Sequence, residues 1–373
     1  MKAGVLLSYI RFITIMYRRK TELIFGSILF IGVLFLLLFY SLSSYQQFSE
    51  EYERKFIMTS EALLLFPNAE IEEQEPDDQK LYESLLKQKR LIAQQSNAET
   101  FEDVARYNQA SLELADEQIA LYEEDNFYKV ENYVLPQYQL ELERQEYLTL
   151  QGTETESYHF SFNLIWILKV ALPFITLALF ILLSLMCSEP VTEDRRHRSV
   201  LDGFPLTAPQ RMLKKFQFIL GAMIVILLLV FIAILGFNAV FGSFSTDYPM
   251  AVYLQQTFRT IPVWQYLGLY LLHTFFVFFV IMSLAVLLNL LTENNLLTTF
   301  LLALLFTIST LKPTYLPNSS FWLGIDSLNF FTLTNGIYPQ TIGLFSLNLL
   351  FLAGLSIVGY LVLQRMLLKE ENR

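Results

Sequence analysis

Long apolar segments are the feature that most constrains the fold of this chain. The first, Leu23–Leu42, has 20 residues, and a helix of that length, rising 1.5 Å per residue, crosses about 30 Å of hydrocarbon. Five further segments bring the total to six: Phe162–Cys187, Phe216–Phe241, Tyr266–Leu291, Leu296–Leu311 and Ile342–Leu363. Hydrophobic residues make up 54% of the chain, more than the roughly 45–50% of soluble domains. We therefore predict an all-α polytopic membrane protein with six transmembrane helices.

The charged residues are divided unevenly along the sequence. Residues 50–156 carry a net charge of about −17 within a chain whose net charge is −10, so the rest of the chain is basic. Basic residues precede the first apolar segment at positions 18–20, and Arg365 follows the last one. Because short loops rich in Lys and Arg stay in the cytoplasm, we expect both termini there. Val5–Tyr17 is then an amphipathic helix at the inner membrane interface.

A polar insertion separates the first two apolar segments. We divide the chain into residues 1–43, the interface helix and span one; residues 44–160, an extracellular domain; and residues 161–373, spans two to six. Pro76 and the two Asp residues after it are typical of a helix start, and Phe101–Leu121 and Gln137–Leu150 are two further predicted helices. The insertion is therefore predicted to be a helical domain; the alternative is a solvated stalk that binds no ligand.

A second irregular region lies between spans five and six. Residues 312–340 contain Pro313 and Pro317 among apolar residues. Non-helical backbone at membrane depth is tolerated only where protein or water covers it. We therefore expect a re-entrant-like segment on the outer face.

Three polar residues within the apolar segments are candidates for a substrate path: Lys169, His273 and Asn289. Charged and polar residues inside a membrane span often mark such a path. Lys169 lies about two turns from the outer boundary, so its side chain can instead extend toward the membrane interface and place the ammonium in water. His273 and Asn289 can instead form hydrogen bonds between helices.

The sequence lacks the motifs of several enzyme classes. It contains no GxxxxGK[ST] phosphate loop, no HExxH and no GxSxG. The single cysteine, Cys187, excludes a disulfide framework. The apolar segments also lack the Asp and Glu residues that a proton- or sodium-coupled carrier uses. We therefore expect no enzyme activity, cofactor or metal in this chain, and any energy source must come from another chain.

A charged island at residues 188–215 joins spans two and three. Its basic residues predict a cytoplasmic loop, and Pro205 and Pro209 prevent one continuous helix through it. We expect a short helix near Glu193–Gly203 that presents an apolar side to a partner groove while its charges fix the orientation. The alternative is an ordinary loop held by lipid headgroups. The candidate coupling residues are Glu193, Asp194, Arg195, Arg196, Val200, Leu201, Phe204 and Pro205.

The order of residues in this island resembles the coupling region of type-2 ABC exporter permeases. Residues 193–196 occupy the acidic and basic positions of that region, residues 205–207 its proline segment, and Lys214 or Lys215 its closing lysine. His197–Ser199 stand where the family has a Gly-Thr step. The resemblance extends to the interface helix, the six spans and the short fifth span.

This resemblance implies a permease subunit of the bacterial cell membrane. It implies a pair of identical or related permeases bound to two cytosolic ATPase subunits, which hold the ATP and Mg²⁺. A hydrophobic or amphipathic substrate would be exported at the permease interface, and membrane lipids but no nucleic acid would be bound. The alternative function is a non-transporting six-span receptor or envelope scaffold whose outer domain binds a partner.

Overall fold

The computed structural model describes most of the chain up to residue 334. The described residues are 11–15, 21–46, 49–66, 76–151, 155, 162–188, 190, 192, 206–242, 248–254, 257–311, 328–334, 354, 358, 361, 362 and 365. The fold is mostly helical (86%). Residues 11–15 of the predicted interface helix are helical, and Ile13 is fully buried against the core of the helix bundle.

Eleven helices and two strands follow one another in the described parts of the chain. In chain order they are α1 Thr21–Gln46, α2 Ser49–Leu64, α3 Pro76–Thr100, α4 Val104–Ala120, α5 Gln137–Leu150, α6 Leu164–Val170, α7 Leu172–Ser188, α8 Ala208–Phe241, β1 Pro249–Leu254, β2 Thr257–Pro262, α9 Val263–Thr292, α10 Asn295–Leu311 and α11 Phe330–Thr334. Three short 3-10 turns connect α4 to α5.

Three to four helices are long and apolar enough to span a membrane. The three single helices are α1, α8 and α9, and the bent pair α6–α7 makes a fourth. The predicted fifth span forms α10, which is apolar but shorter than the others. Most of the predicted sixth span and of the 312–340 segment lies outside the described residues. The apolar helices therefore indicate a membrane protein, and six spans remain a prediction.

The second predicted span is broken into two helices. It was expected as one segment, Phe162–Cys187, but α6 and α7 meet at Ala171 with an angle of 56° between them. Pro173 lies in the first turn of α7. A proline has no N–H to donate and its ring crowds the carbonyl four residues earlier, here that of Lys169. Pro173 therefore removes a backbone hydrogen bond that would otherwise hold α6 and α7 in line.

The helix α7 lies at the centre of the described bundle. It packs against α1, α9 and α10, and most of its side chains are buried. The helices α1 and α8 expose much of their apolar surface, including Phe25, Leu36, Ile232 and Val240. This arrangement places α7 in contact with most of the apolar helices, so a change in its position would be felt across the bundle.

Helices α2–α5 form the helical domain, which we define as residues 49–151. The helix α4 packs between α3 and α5, and the apolar residues Leu81, Leu85, Leu121 and Leu140 belong to a separate small core. The predicted helix starts at Pro76 and Gln137 are confirmed. The predicted Phe101–Leu121 helix begins later, at Val104, because the Asp103 carboxylate accepts a hydrogen bond from the Arg106 N–H.

A β-hairpin interrupts the otherwise helical chain. The strands β1 and β2 are antiparallel, with Val252 opposite Arg259, and they lie against α5. The hairpin lies between the predicted spans Phe216–Phe241 and Tyr266–Leu291, where no regular structure was predicted. The hairpin therefore adds a small sheet to a fold that was predicted to be all-α, and it forms part of the contact between the helical domain and the bundle.

Candidate functional site

The candidate coupling residues lie between two described segments. Glu193, Asp194, Arg195, Arg196, Val200, Leu201, Phe204 and Pro205 are themselves outside the described residues. The structure describes Ser188, Pro190 and Thr192 before them, and Leu206 onward after them. We call this side of the bundle the loop end, and the side facing the helical domain the domain end.

The start of the 188–215 loop is bound to the turn between α9 and α10. The Asn289 amide donates to the Ser188 carbonyl oxygen and, at 2.7 Å, to Asn295 Oδ1. Thr192 Oγ1 lies 2.8 Å from Asn289 Oδ1, and Thr299 Oγ1 donates to Ser188 Oγ at 2.8 Å. We call these five residues the loop-end cluster. Asn289 is fully buried. The cluster joins α7, α9 and α10 by interhelical hydrogen bonds.

The other end of the loop is bound through a buried lysine. Lys215 Nζ donates to the Pro190 carbonyl oxygen at 2.6 Å, and the Lys215 side chain is 1% exposed. A buried ammonium is costly unless it is hydrogen-bonded, so this contact is needed for α8 to fold as it does. The adjacent Lys214 instead reaches Gln217 on the surface of α8. Of the two lysines considered from sequence, Lys215 is the one that contacts a described residue of the loop, Pro190.

The first turn of α8 is fixed by its own sequence. Gln210 Oε1 accepts a hydrogen bond from the Thr207 N–H at 3.3 Å, and Arg211 Nη1 donates to the Leu206 carbonyl oxygen at 2.9 Å. Pro209 occupies the first turn, where its missing N–H has no intrahelical partner to lose. The end of the loop therefore enters α8 in one defined direction.

Lys169 contacts the helical domain. Its Nζ lies 2.7 Å from Glu146 Oε2 of α5. The Glu146 side chain is 3% exposed and that of Lys169 is 27% exposed. The Lys169 ammonium is therefore paired with an acidic residue of the helical domain, a contact that was not predicted from the sequence.

His273 lies in an aromatic cluster between helices. Its ring centre is 5.6 Å from that of Phe330 in α11. On the preceding turn, the Tyr270 and Thr176 hydroxyl oxygens are 2.8 Å apart and join α9 to α7. Asn289 is 16 residues further along α9, or about 24 Å at 1.5 Å per residue. The three candidate residues therefore lie apart from one another in the structure, and their role in a substrate path stays a prediction.

An apolar groove lies between α1, α7 and α10. Its volume is about 650 Å³, and its lining includes Phe25, Gly26, Leu185, Leu296 and Thr299. A Cβ atom on Gly26 would come within 2.9 Å of Leu185 Cδ2, so the glycine permits the close approach of α1 and α7. Thr299 belongs both to this groove and to the loop-end cluster. The groove therefore begins beside the residues that hold the loop.

Metal ligands and relatives give no further guide to the site. In the part of the chain that the structure describes, no three His, Cys, Asp or Glu side chains come together as metal ligands. Comparison with protein-family models, with curated proteins and with solved structures finds no match to this chain.

Proposed function

We propose that this chain is the transmembrane permease subunit of an ATP-driven ABC exporter of the bacterial cell membrane. The observation that carries the proposal is that both ends of the charged 188–215 loop are bound to buried parts of the bundle. Lys215 Nζ binds the Pro190 carbonyl at one end, and Thr192 binds Asn289 at the other. A docking loop must be attached in this way if a force applied to it is to reach the transmembrane helices.

The attachment links the loop to four helices. The loop-end cluster contains residues of α7, α9 and α10, and Lys215 belongs to α8. In the proposed mechanism, two cytosolic ATPase subunits bind ATP and Mg²⁺ and move the loops of two permease copies. Arg195, Phe204 and their neighbours contact the ATPase, and the buried hydrogen bonds carry that displacement into the bundle.

The apolar groove supports a hydrophobic or amphipathic substrate. Its lining is almost entirely aliphatic and aromatic, and burying apolar surface there is favourable for a peptide, lipid or drug-like molecule. The groove opens to the side of the bundle, where a second permease copy would also pack. We therefore place the substrate, or the helices of the second copy, at this surface.

A non-transporting receptor or envelope scaffold is the second candidate. The helical domain favours it, because this domain has its own small core and is attached to the bundle through the buried Glu146. In that case the domain binds an outer partner and the 188–215 loop has no ATPase to contact. The two functions differ in whether an ATPase subunit accompanies the chain.

Purification from native membranes tests the proposal. The tagged chain is extracted in mild detergent, and its partners are identified by mass spectrometry and by ATPase activity. We expect a stoichiometric ATPase subunit with the wild type and its loss in the double variant Arg195→Glu/Phe204→Asp. Arg259→Glu, an exposed charge reversal on β2, is the matched control and should retain the subunit. Absence of an ATPase subunit from the wild type would contradict the proposal and favour the receptor.

A further inference from the structure

Glu146 is the only acidic residue that is buried among those the structure describes. Its carboxylate is surrounded by donors from three places. Lys169 Nζ is 2.7 Å from Oε2, the Tyr248 hydroxyl is 3.3 Å from Oε2, and the Ala251 backbone N–H donates to Oε1 at 3.1 Å. A buried carboxylate is stable only when it is paired and hydrogen-bonded, and these three contacts provide that.

The contacts of Glu146 join three separate elements. Glu146 belongs to α5 of the helical domain, Lys169 to α6, and Ala251 to β1 of the hairpin. The Thr149 and Thr260 hydroxyl oxygens, 3.1 Å apart, add a second contact between α5 and the hairpin. Apolar residues of the helical domain, among them Tyr107, Tyr147 and Leu150, also belong to the core of the bundle, and Glu146 adds a buried charge to this contact.

This point of attachment lies next to the break in the second span. Lys169 is two residues before Ala171, where α6 and α7 meet at 56°. On its other side, α6 is held to the end of α1 because Trp166 Nε1 donates to the Ser41 carbonyl at 2.8 Å. The helix α6 has only seven residues, and these two polar contacts act on it together with its apolar packing against α1, α7 and α8.

We propose that Glu146 is a positioning residue through which the helical domain sets the bend between α6 and α7. Removing its charge breaks the ion pair with Lys169 and weakens the contact between the helical domain and α6. Because α7 packs against α1, α9 and α10, a change in the helical domain then reaches the core of the bundle. This inference does not rest on the proposed function, since a receptor would use the same connection.

Cys187 reports on the far end of α7. It is the only cysteine in the chain and is 1% exposed. It lies 18 residues after Lys169, or about 27 Å along a helix. The rate at which a membrane-permeant maleimide labels Cys187 in native membranes therefore measures opening around α7, at a site that Glu146 does not touch.

The experiment compares labelling of Cys187 in the full-length wild type, Glu146→Gln, Lys169→Gln and the double variant. We expect each single variant to be labelled about fivefold faster or more. The double variant should be labelled no faster than the singles, because both changes break one interaction.

Two control variants separate this effect from general loosening of the helical domain. Asp116→Asn breaks the exposed ion pair with Arg144 of α5, and Tyr52→Phe breaks the buried hydrogen bond to Tyr107. Both should be labelled at the wild-type rate. The proposal is overturned if Glu146→Gln and Lys169→Gln leave the rate unchanged, or if either control raises it equally. If Glu146→Gln fails to accumulate, the proposal is tested by the Cys187 labelling rate of Lys169→Gln compared with the rates of the two control variants.

Discussion

The two ends of the helix bundle are held by different chemistry. At the domain end, Glu146 and Lys169 are two opposite charges that neutralise each other. At the loop end, Asn289 and its neighbours form neutral hydrogen bonds, and the buried Lys215 ammonium donates to the neutral carbonyl of Pro190. The comparison indicates that the domain end depends on charge balance, whereas the loop end depends on donors and acceptors in fixed positions.

Reversing the charge of Lys215 should have the largest effect. Lys215→Glu places a buried carboxylate beside the Pro190 carbonyl oxygen, and an unpaired buried charge costs several kcal/mol. We expect this variant not to accumulate in the membrane. Lys214→Glu, one residue earlier and directed along the surface of α8, should accumulate normally. Size-exclusion chromatography of the tagged chains in detergent measures both, and equal yields would show that the Lys215 contact is not needed.

Removing the Glu146 side chain should have the next largest effect. Truncating one partner of a buried charge pair costs about 2 kcal/mol or more, and the partial exposure of Lys169 places this case at the lower limit. Thermal unfolding of Glu146→Ala should begin at a clearly lower temperature than that of the wild type. Glu141→Ala, on the same helix, serves as the control, and equal melting temperatures for the two variants would contradict the central place given to Glu146.

Removing the Asn289 amide should have a smaller effect on stability. Asn289→Ala leaves buried groups of Ser188 and Thr192 with fewer hydrogen bonds, at a cost of about 1–3 kcal/mol. Thr307→Ala, which removes a hydroxyl that binds only the Ala303 carbonyl of its own helix among the contacts described, should change stability by less than about 0.5 kcal/mol. Denaturation in detergent compares the stability of the two variants. A smaller loss of stability for Asn289→Ala than for Thr307→Ala would contradict the role given to the loop-end cluster.

Breaking the exposed ion pair between α4 and α5 should have the smallest effect. Arg144 Nε lies 2.6 Å from Asp116 Oδ1, but both side chains are well exposed. Surface ion pairs contribute about 0–1 kcal/mol because water and salt screen them. The melting temperature of Asp116→Asn should therefore lie within a few degrees of that of the wild type. A loss as large as that of Glu146→Ala would show that burial is not what distinguishes the two pairs.

Local sequence signals predicted most of the helices. The starts at Pro76 and Gln137 follow from prolines and acidic residues that act over a few residues. The break at Ala171 was missed although Pro173 carries the signal for it. The β-hairpin at residues 249–262 was also missed, although apolar and polar residues alternate there in part.

The tertiary contacts were beyond the reach of sequence patterns. Glu146 and Lys169 are 23 residues apart, in a predicted domain helix and a predicted span, and no periodicity relates them. The choice between Lys214 and Lys215 depends on which face of α8 turns toward Pro190. The apolar groove depends on the packing of three helices that are far apart in the chain. Each of these features depends on tertiary packing, which local sequence patterns do not reveal.

The proposed exporter function requires that the 188–215 loop contacts an ATPase subunit. Photo-crosslinking in native membranes tests it most directly, with a photoreactive amino acid at position 204 and, as the control, at position 259 on β2. We predict a crosslinked product that contains the ATPase subunit from position 204 and none from position 259. A correctly inserted chain that yields no ATPase product from position 204 would contradict the claim and leave the receptor as the better function.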